Sequence, residues 1–226
     1  EVCVAGVQVM NERAGLLTIV LLLFGCAPVA EAKRTRPAGS IQPAKVGEPV
    51  QFMRDVFGRP VMQCALPVRP MLDVRALGIE GALQRAVSAW NAAIGFEVLH
   101  YSGRVMGLDP LGETLPAPFV VVDHNDLENE CGVTRVRLAN FLSNCAGLVT
   151  VSLSSECSVP EDRAVFTLMH ELGHVLGLSH PKNPAAYKGI MSPFISNATL
   201  ISRAEAFAIR ELYKAWAPVV PQKAGR

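Results

Sequence analysis

The sequence predicts an α+β domain of about 150 residues, and three observations lead there. Short stretches rich in β-branched and aromatic residues surround one amphipathic segment at 80–94. Two further helical patterns follow, one at 161–176 and one after Ser202. The composition supports a packed core, with 50% hydrophobic and 18% charged residues among 226 and no internal repeat. Lys and Arg total 21 against 20 Asp and Glu, a net charge of +1. That balance provides no broad basic face and excludes nucleic acid as the main partner.

Residues 1–32 read as a signal region. Arg13 supplies a positive flank, and residues 14–24 (AGLLTIVLLLF) are an uncharged run of 11. Such a run is about half of the roughly 20 residues that span a bilayer, and it matches a signal-peptide core. Met10 stands directly before this segment and reads as the natural start. Two exits follow. Leu23-Phe24-Gly25-Cys26 resembles a bacterial lipobox, in which Cys26 is lipidated, and Ala30-Glu31-Ala32 resembles a site cleaved after Ala32. Both predict export, either to the periplasm or medium or to a membrane-anchored lipoprotein. Contact with a membrane is expected only through that lipid anchor.

Export changes how the cysteines read. Cys3 precedes the expected start and Cys26 belongs to the signal, so Cys64, Cys131, Cys145 and Cys157 remain. Four cysteines in an oxidising compartment predict two disulfides, in any of three connectivities. No C-x-x-C pair exists among them, which argues against a cysteine zinc site.

The elements follow in order. Residues 33–67 carry Pro37, Pro43, Pro49, Pro60 and Pro67 and read as a linker or short pro-segment. Residues 71–76 form a first strand. The helix at 80–94 sets Leu83, Ala86, Val87, Trp90, Ala93 and Ile94 on one face, and Gly95 ends it. Strands are expected at 96–101, 119–123 and 148–153, with a further candidate at 134–138. A second helix spans 161–176. The third starts at Ser202, an N-cap with Glu205 three residues on, and is expected to turn Phe207, Ile209, Leu212 and Tyr213 inward. The domain is therefore 68–217, with a polar tail at 218–226.

The chemistry sits in the second helix, where residues 170–180 read HELGHVLGLSH. His170 and His174 are four apart, so a helix stacks them on one face. Glu171 lies about 100° round the helix and flanks that face. Gly177 suits a helix end at positive φ, after which the chain brings back His180. Three imidazoles can hold Zn²⁺ with one position open, the arrangement of a catalytic site. Zinc lowers the pKa of water towards about 7, and Glu171 is placed to take the proton. Five fixed residues at this spacing arise by chance in roughly one of 10⁵ chains of this composition.

This stretch is similar to the long zinc signature of the metzincin metallopeptidases. Gly189-Ile190-Met191-Ser192-Pro193 resembles their Met-turn, with Met191 beneath the zinc ligands. The helix at 80–94 with Trp90 resembles the first helix of matrixin catalytic domains, and 202–213 resembles their closing helix. Pro181 follows the third histidine as in serralysins, but no glycine-rich repeats follow. The resemblance therefore implies a matrixin-like bacterial metzincin with a mixed twisted sheet, covering about 68–216. Residues 63–67 (QCALP) do not match the matrixin cysteine switch, which favours a disulfide over latency control for Cys64.

The resemblance further implies a peptide or protein substrate that lies antiparallel along an edge strand, at 134–138 or 148–153. It implies Glu171 as the general base, and a monomer is expected. Structural Ca²⁺ is common in matrixins, and Asp123, Asp126, Glu128 and Glu130 form an acidic stretch that could hold it or be a solvated loop. His100 and His124 read as exposed or structural, with a second metal site as the alternative for His124. Two other functions remain open: a zinc-dependent amidase of cell-wall peptides, and a zinc-containing binding lipoprotein without turnover. Glu171 speaks against the latter, since metal binding alone does not need it.

Overall fold

The computed structural model describes residues 6–10, 49–101, 103, 105–106, 119–125, 127, 130–140, 142–157, 160–193 and 200–216. The class is α+β. The elements are β1 (Gly6–Met10), β2 (Gln51–Phe52), β3 (Arg69–Asp73), α1 (Glu80–Ile94), β4 (Val105–Met106), β5 (Phe119–Asn125), β6 (Gly132–Leu138), β7 (Ala146–Ser154), α2 (Glu161–Val175), β8 (Leu178–Ser179) and α3 (Arg203–Leu212). Six strands form one mixed sheet in the order β1-β6-β7-β5-β3-β4, in which β6 runs antiparallel to β7 and the other pairs are parallel. β2 and β8 pair separately as a short antiparallel ribbon.

Helix α2 packs against α1 and lies on β6 and β7. The α1 face buries Ala82, Leu83, Ala86, Val87, Trp90 and Ile94, while Ala93, expected on that face, is exposed. Trp90 is fully buried, and its indole N–H donates to Met169 O at 2.8 Å, which satisfies the one polar atom it carries into the core. The first strand, expected at 71–76, lies at 69–73, and it ends there because the Asp73 side chain accepts from Arg75 N and starts a 3-10 turn over Val74–Ile79.

Four expectations change. Residues 96–101 form no strand and make only an isolated bridge between Val68 and Leu99. Asn91 takes the hydrogen bonds a ladder would use: its Oδ1 accepts from Val98 N and Leu99 N, and its Nδ2 donates to Leu99 O. Phe207 is 63% exposed, because Glu205, Ala206, Ile209 and Tyr213 form the inner face of α3. Neither candidate edge strand is an edge here: β7 lies between β6 and β5, and β1 runs along the outer side of β6 with Gly6 opposite Val133. That strand falls in the segment read as a signal. Finally, the described part of 33–67 is folded onto the domain. Met53 and Val61 are buried, Met53 N donates to Gly177 O at 2.9 Å, and the buried Gln63 donates from Nε2 to Val175 O at 2.8 Å.

Cys64 pairs with Cys145 and Cys131 with Cys157, at Cα–Cα distances of 5.3 and 5.2 Å. The first bridge ties the N-terminal segment to the start of β7. The second ties the start of β6 to the turn before α2. Such bridges persist in oxidising compartments and suggest an extracellular or periplasmic location. Among the described residues no helix is long and apolar enough to cross a membrane. Non-reducing peptide mapping is expected to recover these two pairs. Replacing either pair by alanines should cost about 2–5 kcal/mol in denaturant unfolding. The sequence separations are 81 and 26, so chain entropy makes the loss of Cys64–Cys145 the larger by about 1 kcal/mol. An unchanged midpoint in either double variant would show that bridge to be energetically idle.

Candidate metal centre

The three histidines of the 170–180 stretch meet at the end of α2. His170 and His174 leave the helix one turn apart, as their spacing demands. Leu176 caps the helix and Gly177 follows at φ +101°. A Cβ there would stand 2.5 Å from Val61 O, so both the backbone angle and the close approach of the N-terminal segment require glycine. The chain then reverses through β8, which pairs with β2, and delivers His180. A segment expected to be a linker or short pro-segment thus lies against the approach to the third histidine.

His170 Nε2 lies 3.0 Å and His174 Nε2 lies 3.1 Å from His180 Nε2. Zinc bound at about 2.0–2.1 Å to each nitrogen would set a tetrahedral edge of about 3.3–3.4 Å, close to these separations. The outer ring nitrogens are also engaged. His170 Nδ1 donates to Ile190 O at 2.7 Å, and His174 Nδ1 donates to Leu178 O at 2.9 Å. A carbonyl only accepts, so these bonds place the proton on Nδ1 and leave the Nε2 lone pairs facing inward. Lone pairs converging at this distance suit a cation, and the three residues could hold a metal ion. His170 and His174 are buried while His180 is half-buried, so the site is approached from the His180 side.

Burial holds all three imidazoles below the ordinary histidine range. His180 is pushed down to about 3, and the neighbouring histidines add to the effect at His174 and His180. Glu171 is fully buried and is pushed up to about 8 by that burial, against the hydrogen bond from Thr134. These directions set the pH dependence of the metal-free protein. Between about 3 and 6.5 the unfolded chain takes up protons that the folded histidines refuse, so stability rises with pH across that window. From 4.5 to about 8 the folded state holds a proton on Glu171 that the unfolded chain has lost, so this group acts the other way. Three histidines outweigh one glutamate below 6.5 and none opposes it above. Thermal melting of metal-free protein should therefore peak near pH 6.5. A melting temperature that falls steadily from pH 4.5 to 6.5 would contradict this.

Met191 is fully buried, and a Cβ on Gly173 would collide with its Sδ, so Met191 packs directly against the helix between His170 and His174. Two features of the site escaped the sequence reading. Glu205, recognised there only as a helix cap, is fully buried. Its carboxylate accepts from Tyr187 OH at 2.9 Å, Ile190 N at 3.2 Å, Met191 N at 2.8 Å and Ser202 N at 2.6 Å. The capping box was its signal, but nothing local showed that the same oxygens also hold the turn. Thr134 was read only as part of a strand, yet its hydroxyl donates to Glu171 Oε2 at 2.6 Å.

The remaining candidates lie elsewhere. His100 is exposed and pairs with Glu97 at 2.7 Å. Asp126 and Glu128 lie outside the described residues, as do the side chains of Asp123 and His124 and the whole of Cys3, Cys26 and the 218–226 tail. Glu130 is half-buried, and its carboxyl is raised by that burial.

No family model matches the chain, and no curated protein matches it. Among solved structures the chain is similar to metalloproteinase-II from Bacteroides fragilis, at 14% identity and a TM-score of 0.38, over 74% of this chain and 58% of that one. The chain thus spans less than two thirds of that protein's length, and a likeness at this level bears on neither fold nor activity.

Proposed function

We propose that this chain is an exported zinc-dependent endopeptidase of matrixin-like metzincin type. The observation that carries the reading is the convergence of three imidazole nitrogens whose protons are turned away to backbone carbonyls, with Glu171 next along the helix. His170, His174 and His180 are the proposed zinc ligands. When bound there, zinc supplies Lewis-acid polarisation of a peptide carbonyl and lowers the pKa of water. Glu171 takes a proton from the attacking water and returns it to the leaving amine nitrogen, so the peptide bond breaks with no net change at the carboxyl group.

The substrate is an extended peptide. Removal of the signal region, β1 included, leaves β6 as the sheet edge nearest α2, and an added strand would pair there. Export through the signal region, with Cys26 lipidated or the chain cut after Ala32, belongs to the same reading, as does a monomeric state. Incubation of the purified, zinc-loaded protein with casein and with peptidoglycan tests it, with cleavage sites read by mass spectrometry. Zinc-dependent internal cuts in casein are expected. Cleavage of peptidoglycan alone would replace the reading by a cell-wall amidase, and cleavage of neither would leave a binding protein.

A further inference from the structure

The side chain of Glu171 runs from α2 towards β6 and ends in a slot made by two residues of that strand. Gly132 and Thr134 are two apart and so face the same side. A Cβ at Gly132 would stand 2.7 Å from Glu171 Oε1, 2.9 Å from its Cγ and 2.8 Å from Thr167 Cγ2. Only glycine leaves room there for the carboxyl group. At Thr134 the hydroxyl lies 2.6 Å from Glu171 Oε2 and 3.2 Å from the Glu171 main-chain oxygen. Both side chains are fully buried, and Oε1 alone has no hydrogen-bond partner.

We propose that Thr134 is a positioning residue for Glu171: by occupying Oε2 it reserves Oε1 for the proton taken from water and passed to the leaving amine. This deepens the peptidase reading and rests on it. A threonine hydroxyl has one proton to give, and the nearer acceptor is Oε2. Oε2 keeps one lone pair beside that bond, whereas Oε1 offers both to an incoming proton. The hydroxyl is itself well held. Thr134 pairs with Val151 of β7, its strand is tied down by Cys131–Cys157, and a β-branched side chain has little freedom at χ1. Gly132 and Thr134 therefore act together, one by leaving space for Oε1 and the other by fixing Oε2.

The test compares zinc-loaded wild-type protein with Thr134→Val and Thr134→Ser on one peptide substrate, reading kcat, KM and zinc content. Valine keeps the shape and removes the hydroxyl, and kcat should fall about 10–100-fold, the worth of a hydrogen bond to a charged group. KM and zinc content should stay at wild-type values, because neither substrate nor metal is touched. Serine restores the donor and should restore kcat. Gly132→Ala, which keeps the hydroxyl and crowds Oε1, should lower kcat in the same way. If Thr134→Val fails to fold, Thr134→Ala takes its place with the same expected split. An active wild type beside a Thr134→Val that turns over equally fast would overturn the positioning role alone. So would a Thr134→Ser as slow as the valine variant, or a change confined to KM. A wild type inactive on every peptide would overturn the peptidase reading, and the positioning role with it.

Discussion

Glu171→Gln is expected to hydrolyse a peptide at least about 10²–10⁴-fold more slowly than the wild type while retaining its zinc, the range that general acid–base help supplies. Glutamine fills the same buried slot between Gly132 and Thr134, and its amide oxygen can still accept from the Thr134 hydroxyl. What it cannot do is take a proton. No ligand nitrogen changes, so zinc measured by elemental analysis should match the wild type. His174→Ala gives the contrasting result. This ring is fully buried and bonded to Leu178 O, and its loss leaves two imidazoles, too few for a tight catalytic zinc. Metal and activity should then disappear together. Wild-type turnover in Glu171→Gln would remove the proposed mechanism outright.

Glu205→Ala should be among the most destabilising single changes in the chain. Four donors converge on this carboxylate, three of them backbone N–H groups, and the Gly189 backbone wraps so closely that a Cβ there would stand 2.5 Å from Oε1. Each buried donor left without a partner costs about 1–3 kcal/mol. Even with water replacing part of the set, a loss of about 4 kcal/mol or more is expected, a large share of a typical 5–15 kcal/mol. The loss also reaches the metal. Ile190 donates its N–H to Glu205 and offers its carbonyl to His170 Nδ1, so loosening the turn releases the ring that faces the metal. Urea unfolding and a chelator competition should show both effects. A stability change under about 1 kcal/mol would mean that the turn holds itself.

What the sequence made legible was local. His170 and His174 are joined by one helical turn, Gly177 announces the reversal, and Ser202 with Glu205 announces the start of α3. Each follows from residues fewer than ten apart. The strands at 119–125, 132–138 and 146–154 were also found, short by one or two residues at their ends. What escaped depends on contacts between distant segments. Asn91 is the local exception, replacing the expected strand at 96–101 by hydrogen bonds to residues seven and eight further on. Phe207 was expected inward with Ile209, Leu212 and Tyr213, but the inner face of α3 is set by where the turn at 189–192 arrives and by the carboxylate that meets it. Thr134 and Glu171 are 37 residues apart, and no spacing rule brings a strand hydroxyl to a helix carboxyl group. The two disulfide pairings were open among three for the same reason.

The packing of residues 49–67 limits where the chain could be trimmed without loss of the site. Gln63 takes up Val175 O at the end of α2, Met53 takes up Gly177 O, and Val61 closes against the same glycine, all beside the reversal that carries His180. Trimming that keeps these bonds and the pairing of β2 with β8 must therefore stop upstream of Gln51. A cut made later, between Cys64 and Val68, would not release the preceding segment either, because Cys64 stays bonded to Cys145. The nicked protein would remain one covalent unit until its disulfides were reduced. For a nick at that place, redox state decides the outcome: only in a reducing environment could it strip Gln63 and Val61 from beside the third histidine.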